Sequence, residues 1–259
     1  MARECFEKLF SMEGKVAFIT GGYRGIGLAF AEIYAQAGAN LAIVARNLLG
    51  CQAVAEKLQN TFAIKATAKS MDVRDSKSVD RAVQEIADEF GRIDVLVNCA
   101  GIPGSEKPVI RMTDEDLDEV MDVDFRGTFL VSRAVAQIMV RQKSGKIINV
   151  SSILGKISAR NMTGYCASKA AVLQLTRVMV LELMRDNIQV NAMCPGYFLT
   201  DLNANFFESE AGKGLIKKMI PMNRVGQVDE LKSLALYLAT SPAFMTGSEI
   251  YIDGGHTIV

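Results

Sequence analysis

Residues 16–27 read Val-Ala-Phe-Ile-Thr-Gly-Gly-Tyr-Arg-Gly-Ile-Gly, an apolar run that ends in a glycine-rich turn. A helical pattern of small and apolar residues follows over residues 26–36. Glycines let the backbone turn tightly and approach a pyrophosphate, whose charge the N-terminus of the next helix can meet. A plain strand-to-helix turn is the alternative, but the position between a strand and an amphipathic helix favours dinucleotide binding.

Short apolar runs and longer helical patterns alternate along the whole chain. Strands are predicted over residues 16–20, 41–45, 66–71, 95–98, 146–150, 188–193 and 249–252. Helices are predicted over residues 26–36, 50–58, 76–90, 115–141, 164–185 and 229–239. Most strands are apolar on both faces, which indicates a sheet covered on both sides. We therefore predict an α/β fold over residues 1–259, one Rossmann-type domain with a doubly wound parallel sheet of about seven strands and helices on both faces.

The composition excludes several classes of protein. The chain of 259 residues has 29 basic and 29 acidic residues and one histidine, His256. A neutral chain gives no electrostatic reason to expect nucleic acid or an anionic membrane surface as a partner. No apolar run approaches the roughly 18 residues of a membrane span. A single histidine cannot supply a usual zinc site, so no metal is expected, and any proton transfer must use another side chain.

The cysteines indicate a reducing compartment. Cys5, Cys51, Cys99, Cys166 and Cys194 are scattered, odd in number and never at metal-ligand spacing. We interpret them as free, mostly buried thiols. The first ten residues mix charged with apolar side chains and do not resemble a targeting segment. The sequence thus predicts a soluble, cytoplasmic protein.

The end of the second predicted strand bears on which dinucleotide is preferred. NAD enzymes usually carry an Asp or Glu there, which binds the ribose diol. This chain has Val-Ala-Arg-Asn at residues 44–47, without a carboxylate. Arg46, together with Arg24 of the glycine loop, offers planar cations suited to a 2′-phosphate. Two solvated surface arginines are the alternative interpretation. NADP(H) is therefore favoured over NAD(H), which is kept as the alternative cofactor.

A tyrosine and a lysine open the long helix after the fifth strand. Tyr165 and Lys169 are four positions apart, so both project from one helical face, and Ser152 follows the strand itself. A tyrosine packed on a lysine stem is the alternative reading. A cation about 4 Å from a phenolate contributes about 4 kcal/mol at an effective dielectric of 20. With a positively charged nicotinamide nearby, that is enough for proton exchange by a tyrosine near neutral pH.

Taken together, the motifs resemble the short-chain dehydrogenase/reductase family from about Gly14 onward. They are residues 20–27, Asn98-Cys99-Ala100-Gly101, Ser152 thirteen residues before Tyr165, Lys169, Pro195-Gly196 and Asp253-Gly254-Gly255. This resemblance implies hydride transfer between NAD(P) and a secondary alcohol or ketone. Tyr165 would be the acid in reduction and the base in oxidation, and Ser152 would bind the substrate oxygen. Lys169 would stabilise the phenolate and hold the nicotinamide ribose.

The cofactor contacts follow from the glycine loop, the arginines and the same resemblance. They are Gly21, Tyr23, Arg24, Gly25, Ile26, Gly27, Arg46, Asp72, Val73, Asn98, Ala100, Gly101, Tyr165, Lys169, Pro195, Gly196 and Thr200. Asp72 and Val73 would contact the adenine, and the segment from Pro195 to Thr200 would bind the nicotinamide carboxamide.

Asp124 departs from the family pattern. The family's fourth catalytic residue is an Asn in a pattern like Asn-Leu-x-Gly-x-Phe, whereas residues 124–129 read Asp-Phe-Arg-Gly-Thr-Phe. The Asn holds a water that relays protons from the lysine. A carboxylate can accept the same hydrogen bonds but adds a charge beside Lys169. We expect Asp124 to be the fourth catalytic residue, with an altered proton relay and pH dependence.

The substrate is less clearly indicated than the chemistry. Residues 195–203 and 221–226 are similar to gluconate 5-dehydrogenase-like members of the family, which interconvert a sugar acid and its keto form. Residues 203–221 are expected to form a lid. Arg160 is either a ligand for a substrate carboxylate or a solvated loop residue. We predict an NADP(H)-preferring oxidoreductase for a sugar acid or polyol; the alternatives are a 3-oxoacyl thioester (carrier protein or CoA) reductase and a catalytically silent cofactor-binding subunit.

The two long helices, residues 115–141 and 164–185, have more apolar surface than one sheet face can cover, which is typical of an interface. Members of the family are commonly homotetramers that pack these helices across a two-fold axis. Their C-terminal tail lies near a neighbour's active site, which would place His256 there. We expect a homotetramer.

Overall fold

The computed structural model describes residues 9–201 and 203–258 and places nine strands within them. The strands are β1 (Val16–Thr20), β2 (Asn40–Ala45), β3 (Ala66–Ser70), β4 (Val95–Asn98), β5 (Gly145–Val150), β6 (Ile188–Pro195), β7 (Phe198–Leu199), β8 (Gly226–Gln227) and β9 (Glu249–Ile252). Seven form one parallel sheet in the order β3-β2-β1-β4-β5-β6-β9. The predicted seven-stranded sheet is confirmed. The small β7-β8 ribbon, with two residues in each strand, was not predicted because such short strands have no periodicity.

Helices cover both faces of this sheet. They are α1 (Gly25–Gln36), α2 (Leu48–Phe62), α3 (Ser76–Phe90), α4 (Asp114–Val120), α5 (Gly127–Gln142), α6 (Thr163–Leu183), α7 (Ala204–Glu208), α8 (Glu210–Met219) and α9 (Lys232–Thr240). Alternate residues of β1 point to opposite faces. Ile19 packs with residues of α1, α2 and α9, while Phe18 packs with residues of α3, α5 and α6. Two apolar cores, one on each face, confirm the doubly wound arrangement.

The helix predicted over residues 115–141 is divided into three parts. Between α4 and α5 the chain forms a π-helical turn, Met121–Arg126, which contains Asp124. Such π-helical turns, whose hydrogen bonds join residues five positions apart, are rare and are frequently found at functional sites. The spacing of apolar residues does not register this change, so a continuous α-helix was the wrong prediction there. The predicted lid, residues 203–221, contains the short helices α7 and α8.

The sheet order reverses between β1 and β4. In such sheets a ligand binds beyond the carboxyl ends of the strands at this reversal. Thr20, the last residue of β1, crosses to the segment after β4: its Oγ1 accepts hydrogen bonds from the amides of Cys99 (2.9 Å) and Ala100 (3.0 Å). These bonds hold the glycine loop against the second wall of the cleft.

The cysteines inside the described ranges, Cys51, Cys99, Cys166 and Cys194, are free thiols. Burial raises the pKa of Cys51 to about 11 and the pKa values of Cys99 and Cys194 to about 12. Cys5 and Leu202 lie outside the described residues. Within residues 9–201 and 203–258 no helix is long and apolar enough to cross a membrane, and no cluster of acidic, Cys or His side chains could hold a metal.

Candidate active site

The glycine loop leaves space at the N-terminus of α1. Gly25 has φ +53°, and a Cβ added there would meet nothing closer than Thr200 Cγ2 at 3.8 Å. A Cβ at Gly27 would collide with the carbonyl oxygen of Gly21, which explains the glycine. No side chain caps the first N–H groups of α1. These free donors and the open backbone fit the pyrophosphate of a dinucleotide.

The two predicted phosphate-binding arginines are exposed at the same end of the sheet. The Arg24 guanidinium lies 5.3 Å from the centroid of the Tyr23 ring. Neither Arg24 nor Arg46 forms an ion pair with a carboxylate in the described part of the chain. Asp72 is held by Arg74, at 2.6 Å, and this hydrogen bond lowers the pKa of Asp72 below its ordinary value. The two arginines therefore keep their donors available.

The predicted tyrosine and lysine share one face of α6. Lys169 Nζ lies 5.3 Å from the centroid of the Tyr165 ring. The ammonium group is buried and donates to the carbonyl oxygen of Val150 at 3.4 Å, at the end of β5. The two side chains thus lie together on one face of α6, as the four-residue spacing predicted.

Ser152 lies at the end of β5, next to the same helix. Ser151 Oγ donates to the carbonyl oxygen of Lys169 at 2.9 Å, which fastens α6 to the strand. The Ser152 side chain is buried and its Oγ accepts a hydrogen bond from the amide of Leu154 at 3.1 Å, the start of a short 3₁₀ turn. This bond orients the hydroxyl and leaves its proton for another acceptor.

Asp124 and Lys169 form a buried ion pair. Asp124 is fully buried, its Oδ1 accepts from the amide of Ile102 at 2.8 Å, and its Oδ2 lies 3.1 Å from Lys169 Nζ. A Cβ at Gly101 would lie 3.2 Å from Nζ and 3.3 Å from both carboxylate oxygens, so only glycine fits easily. The π-helical turn gives Asp124 this inward direction.

The ion pair sets the charge of the lysine. Burial alone would lower the pKa of Lys169, but the attraction of Asp124, and then that of Tyr165, outweighs it, and the pKa is raised above its ordinary value. Lys169 is therefore a permanent cation in this site. The Lys169 ammonium interacts electrostatically with both the Asp124 carboxylate and the Tyr165 side chain.

A buried polar network beneath the site could not be found from the sequence. Asn98 Nδ2 donates to Ser132 Oγ at 2.8 Å and to Asn149 Oδ1 at 2.9 Å, and Asn149 Nδ2 donates to Thr176 Oγ1 at 2.9 Å. Asn98 thus joins β4 to β5 and α5, and Asn149 extends the network to α6. Its expected cofactor contact would come from the main chain.

The remaining predicted residues line the same end of the sheet. Gly196 follows β6 and its amide donates to the carbonyl oxygen of Ile252 at 2.9 Å. The amide of Thr200 donates to Asn203 Oδ1 at 2.8 Å. Val73 packs closely on Gly127, where α5 begins. Arg160 is exposed and has no ion pair among the described residues, so the structure does not join it to the site.

Comparisons with known proteins agree with this geometry. The family model for short chain dehydrogenases matches residues 15–211. The 5-keto-D-gluconate 5-reductase of Escherichia coli strain K12 is 38% identical over 248 residues, 95% of this chain and 97% of the relative. The 3-oxoacyl-(acyl-carrier-protein) reductase of Aquifex aeolicus strain VF5 is 36% identical over 245 residues, 94% of this chain and 98% of the relative.

A solved structure is similar over nearly the whole fold. It is a gluconate 5-dehydrogenase from Burkholderia cenocepacia J2315 in complex with NADP and tartrate. Its TM-score is 0.93 at 35% identity, covering 98% of this chain and 99% of that one. These matches confirm the resemblance inferred from the motifs. The chain belongs to the short-chain dehydrogenase family and is an NAD(P)-dependent oxidoreductase acting on alcohol and ketone groups.

Proposed function

We propose that this protein is an NADP(H)-preferring oxidoreductase that interconverts a secondary alcohol and a ketone on a sugar acid or polyol. The observation that carries the chemistry is the buried ion pair of Asp124 and Lys169 beside the partly exposed Tyr165, at the carboxyl end of the sheet. It offers one phenolic proton beside a fixed cation, within a cleft whose glycine loop fits a dinucleotide.

The chain's own residues handle the proton. In ketone reduction Tyr165 donates its phenolic proton to the carbonyl oxygen while that oxygen gains negative charge, and Ser152 stabilises the same oxygen by a hydrogen bond. Lys169 stabilises the resulting phenolate by its charge. A bound nicotinamide supplies the hydride to the carbonyl carbon in this direction and accepts it from the alcohol in the reverse direction. Asp124 positions Lys169 and takes the place of the family's Asn in the proton relay from this lysine.

The cofactor preference rests on Arg24 and Arg46. Both are exposed cations at the expected position of a ribose 2′-phosphate, and the loop after β2 lacks the carboxylate that would bind a diol. The relevant measurement is kcat/KM with NADPH and with NADH on one ketone. A tenfold or greater preference for NADH would contradict the proposal.

The substrate class is supported by the sugar-acid relatives. The 5-keto-D-gluconate 5-reductase and the gluconate 5-dehydrogenase both match over at least 95% of this chain. A 3-oxoacyl thioester reductase is the second candidate because a relative of that class matches at a similar level, 36% identity over 94% of this chain. A catalytically silent subunit is disfavoured because Ser152, Tyr165 and Lys169 are all present. Assays of 5-keto-D-gluconate, xylitol and acetoacetyl-CoA, each with both cofactors, separate these three functions.

The assembly and location also belong to the proposal. On the outer faces of α5 and α6, Phe129 and Val178 are exposed, and Leu181 is 70% exposed. Apolar surface of this kind supports the expected homotetramer. Leu181→Asp should lower the mass measured in solution, whereas Leu49→Asp, an exposed leucine of α2, should not. We place the protein in the cytoplasm, where its free thiols remain reduced, and we retain residues 203–221 as a substrate lid.

A further inference from the structure

Tyr197, Phe207 and His256 form an aromatic cluster at the edge of the candidate active site. The Tyr197 and His256 rings stack with centroids 5.7 Å apart and planes inclined by 28°. The rings of Phe207, in α7, and Tyr197 meet edge-on, with centroids 5.7 Å apart and planes inclined by 72°. Tyr197 lies between β6 and β7, His256 belongs to the segment after β9, and Phe207 belongs to the predicted lid. A residue of the lid and a residue near the C-terminus thus hold the Tyr197 ring.

His256 contributes its ring to this cluster and not its nitrogens. It is only 4% exposed, and neither ring nitrogen has a hydrogen-bond partner among the described residues. Burial lowers the pKa of His256 below its ordinary value, against a smaller opposing effect of Asp253. Asp253 itself accepts hydrogen bonds from the amides of Gly255 (2.9 Å) and Thr257 (2.8 Å), which hold the tail in place. The neutral imidazole therefore serves as a flat support for Tyr197.

Tyr197 lies just beyond the carboxyl end of β6, next to β5, whose carboxyl end leads to Ser152. Burial raises the pKa of Tyr197, and the charges of Tyr165, Cys166 and Glu106 raise it further, so the phenol stays protonated. Tyr165 and Cys166 belong to α6, and Glu106 belongs to the segment after β4. The Tyr197 hydroxyl makes no hydrogen bond to another residue of the described ranges. A held phenol with a free hydroxyl, at the end of the sheet that leads to Ser152, can bind a polar group of a substrate.

We propose that Tyr197 is a specificity-determining residue that hydrogen-bonds a substrate hydroxyl close to the reacting carbon, with His256 and Phe207 holding its ring in position. This inference rests on the proposed alcohol-ketone chemistry of the same site. It implies that the site selects hydroxylated ketones over plain ones. A site built to bond a hydroxyl rejects an analogue without it because its own polar group is then left unpaired.

The test compares 3-hydroxybutan-2-one with butan-2-one, which differ by one hydroxyl next to the carbonyl. We expect the ratio of their kcat/KM values to fall about tenfold in Tyr197→Phe, since the lost hydrogen bond acts on the hydroxylated ketone alone. Tyr237→Phe is the matched control: it removes a hydroxyl from an exposed tyrosine of α9 and should leave the ratio unchanged. The KM for 5-keto-D-gluconate should rise by a similar factor in Tyr197→Phe.

A second pair of variants tests the support of the ring. His256→Phe keeps a stacking surface and should retain the wild-type ratio, whereas His256→Ala should lower it toward that of Tyr197→Phe. Thermal midpoints show that each variant is folded. An unchanged ratio and an unchanged KM in Tyr197→Phe would overturn the inference while leaving the proposed reaction intact. Absence of turnover by the wild-type protein on every ketone would overturn the proposed function and this inference together.

Discussion

Substitution of Asp124 by Asn or by Leu separates the charge of this side chain from its hydrogen bonds. Asn keeps an acceptor for the amide of Ile102 but removes the negative charge 3.1 Å from Lys169 Nζ. Leu removes both and leaves a buried ammonium without its partner. The two variants thus have different consequences for the same site.

The magnitude follows from two distances. Asp124 Oδ2 is 3.1 Å from Lys169 Nζ, which is 5.3 Å from the Tyr165 ring centroid, so the carboxylate lies at most about 8 Å from that ring. At an effective dielectric of 20, one negative charge at this distance destabilises a phenolate by about 2 kcal/mol. Removing the charge makes the phenolate easier to form. The pH profile of alcohol oxidation should therefore shift to lower pH in Asp124→Asn.

The assay is kcat/KM for alcohol oxidation with NADP⁺ between about pH 5 and pH 10. We expect Asp124→Asn to keep at least about a tenth of wild-type turnover, and Asp124→Leu to lose more, because breaking a buried ion pair costs about 3–5 kcal/mol. Thermal unfolding of both variants separates lost activity from lost structure. Equal activity in the two variants, or an Asn profile that coincides with the wild-type profile, would refute this reasoning.

Three further predictions concern the same cleft. Tyr165→Phe should lower NADPH-dependent turnover at least about a hundredfold, since the variant lacks the exchangeable proton. NADPH fluorescence should still report cofactor binding. Unchanged turnover would contradict the mechanism. Arg46→Ala should raise the KM for NADPH about tenfold and leave the KM for NADH nearly constant, because one charge-assisted hydrogen bond to a 2′-phosphate is lost. Arg24→Ala should act in the same direction. Equal effects on the KM values of both cofactors would argue against phosphate recognition. Gly101→Ala should lower kcat/KM with a small change in thermal midpoint, because the added methyl group would lie 3.2 Å from Lys169 Nζ and displace the buried pair. Wild-type activity of the Gly101→Ala variant would show that this close approach is unimportant.

The local parts of the fold and site were predictable because neighbouring residues decide them. The glycine loop, the seven strands of the sheet and the pairing of Tyr165 with Lys169 on one helical face all depend on short spacings. The π-helical turn around Asp124 was not predictable because apolar periodicity continues through it. The direction of the Asn98 side chain was also hidden, since it depends on Ser132 and Asn149 from other elements.

By itself, the sequence determined the α/β alternation and the glycine-rich turn after β1, because residues a few positions apart encode both, and its motifs identified the family. Only the tertiary structure showed the π-helical turn that carries Asp124 and the rings that hold Tyr197. Asp124 lies 45 positions from Lys169, and His256 lies 59 positions from Tyr197, yet the folded chain brings each pair into contact. Contacts at such separations depend on how strands and helices pack together, and local patterns of residues carry no record of that packing.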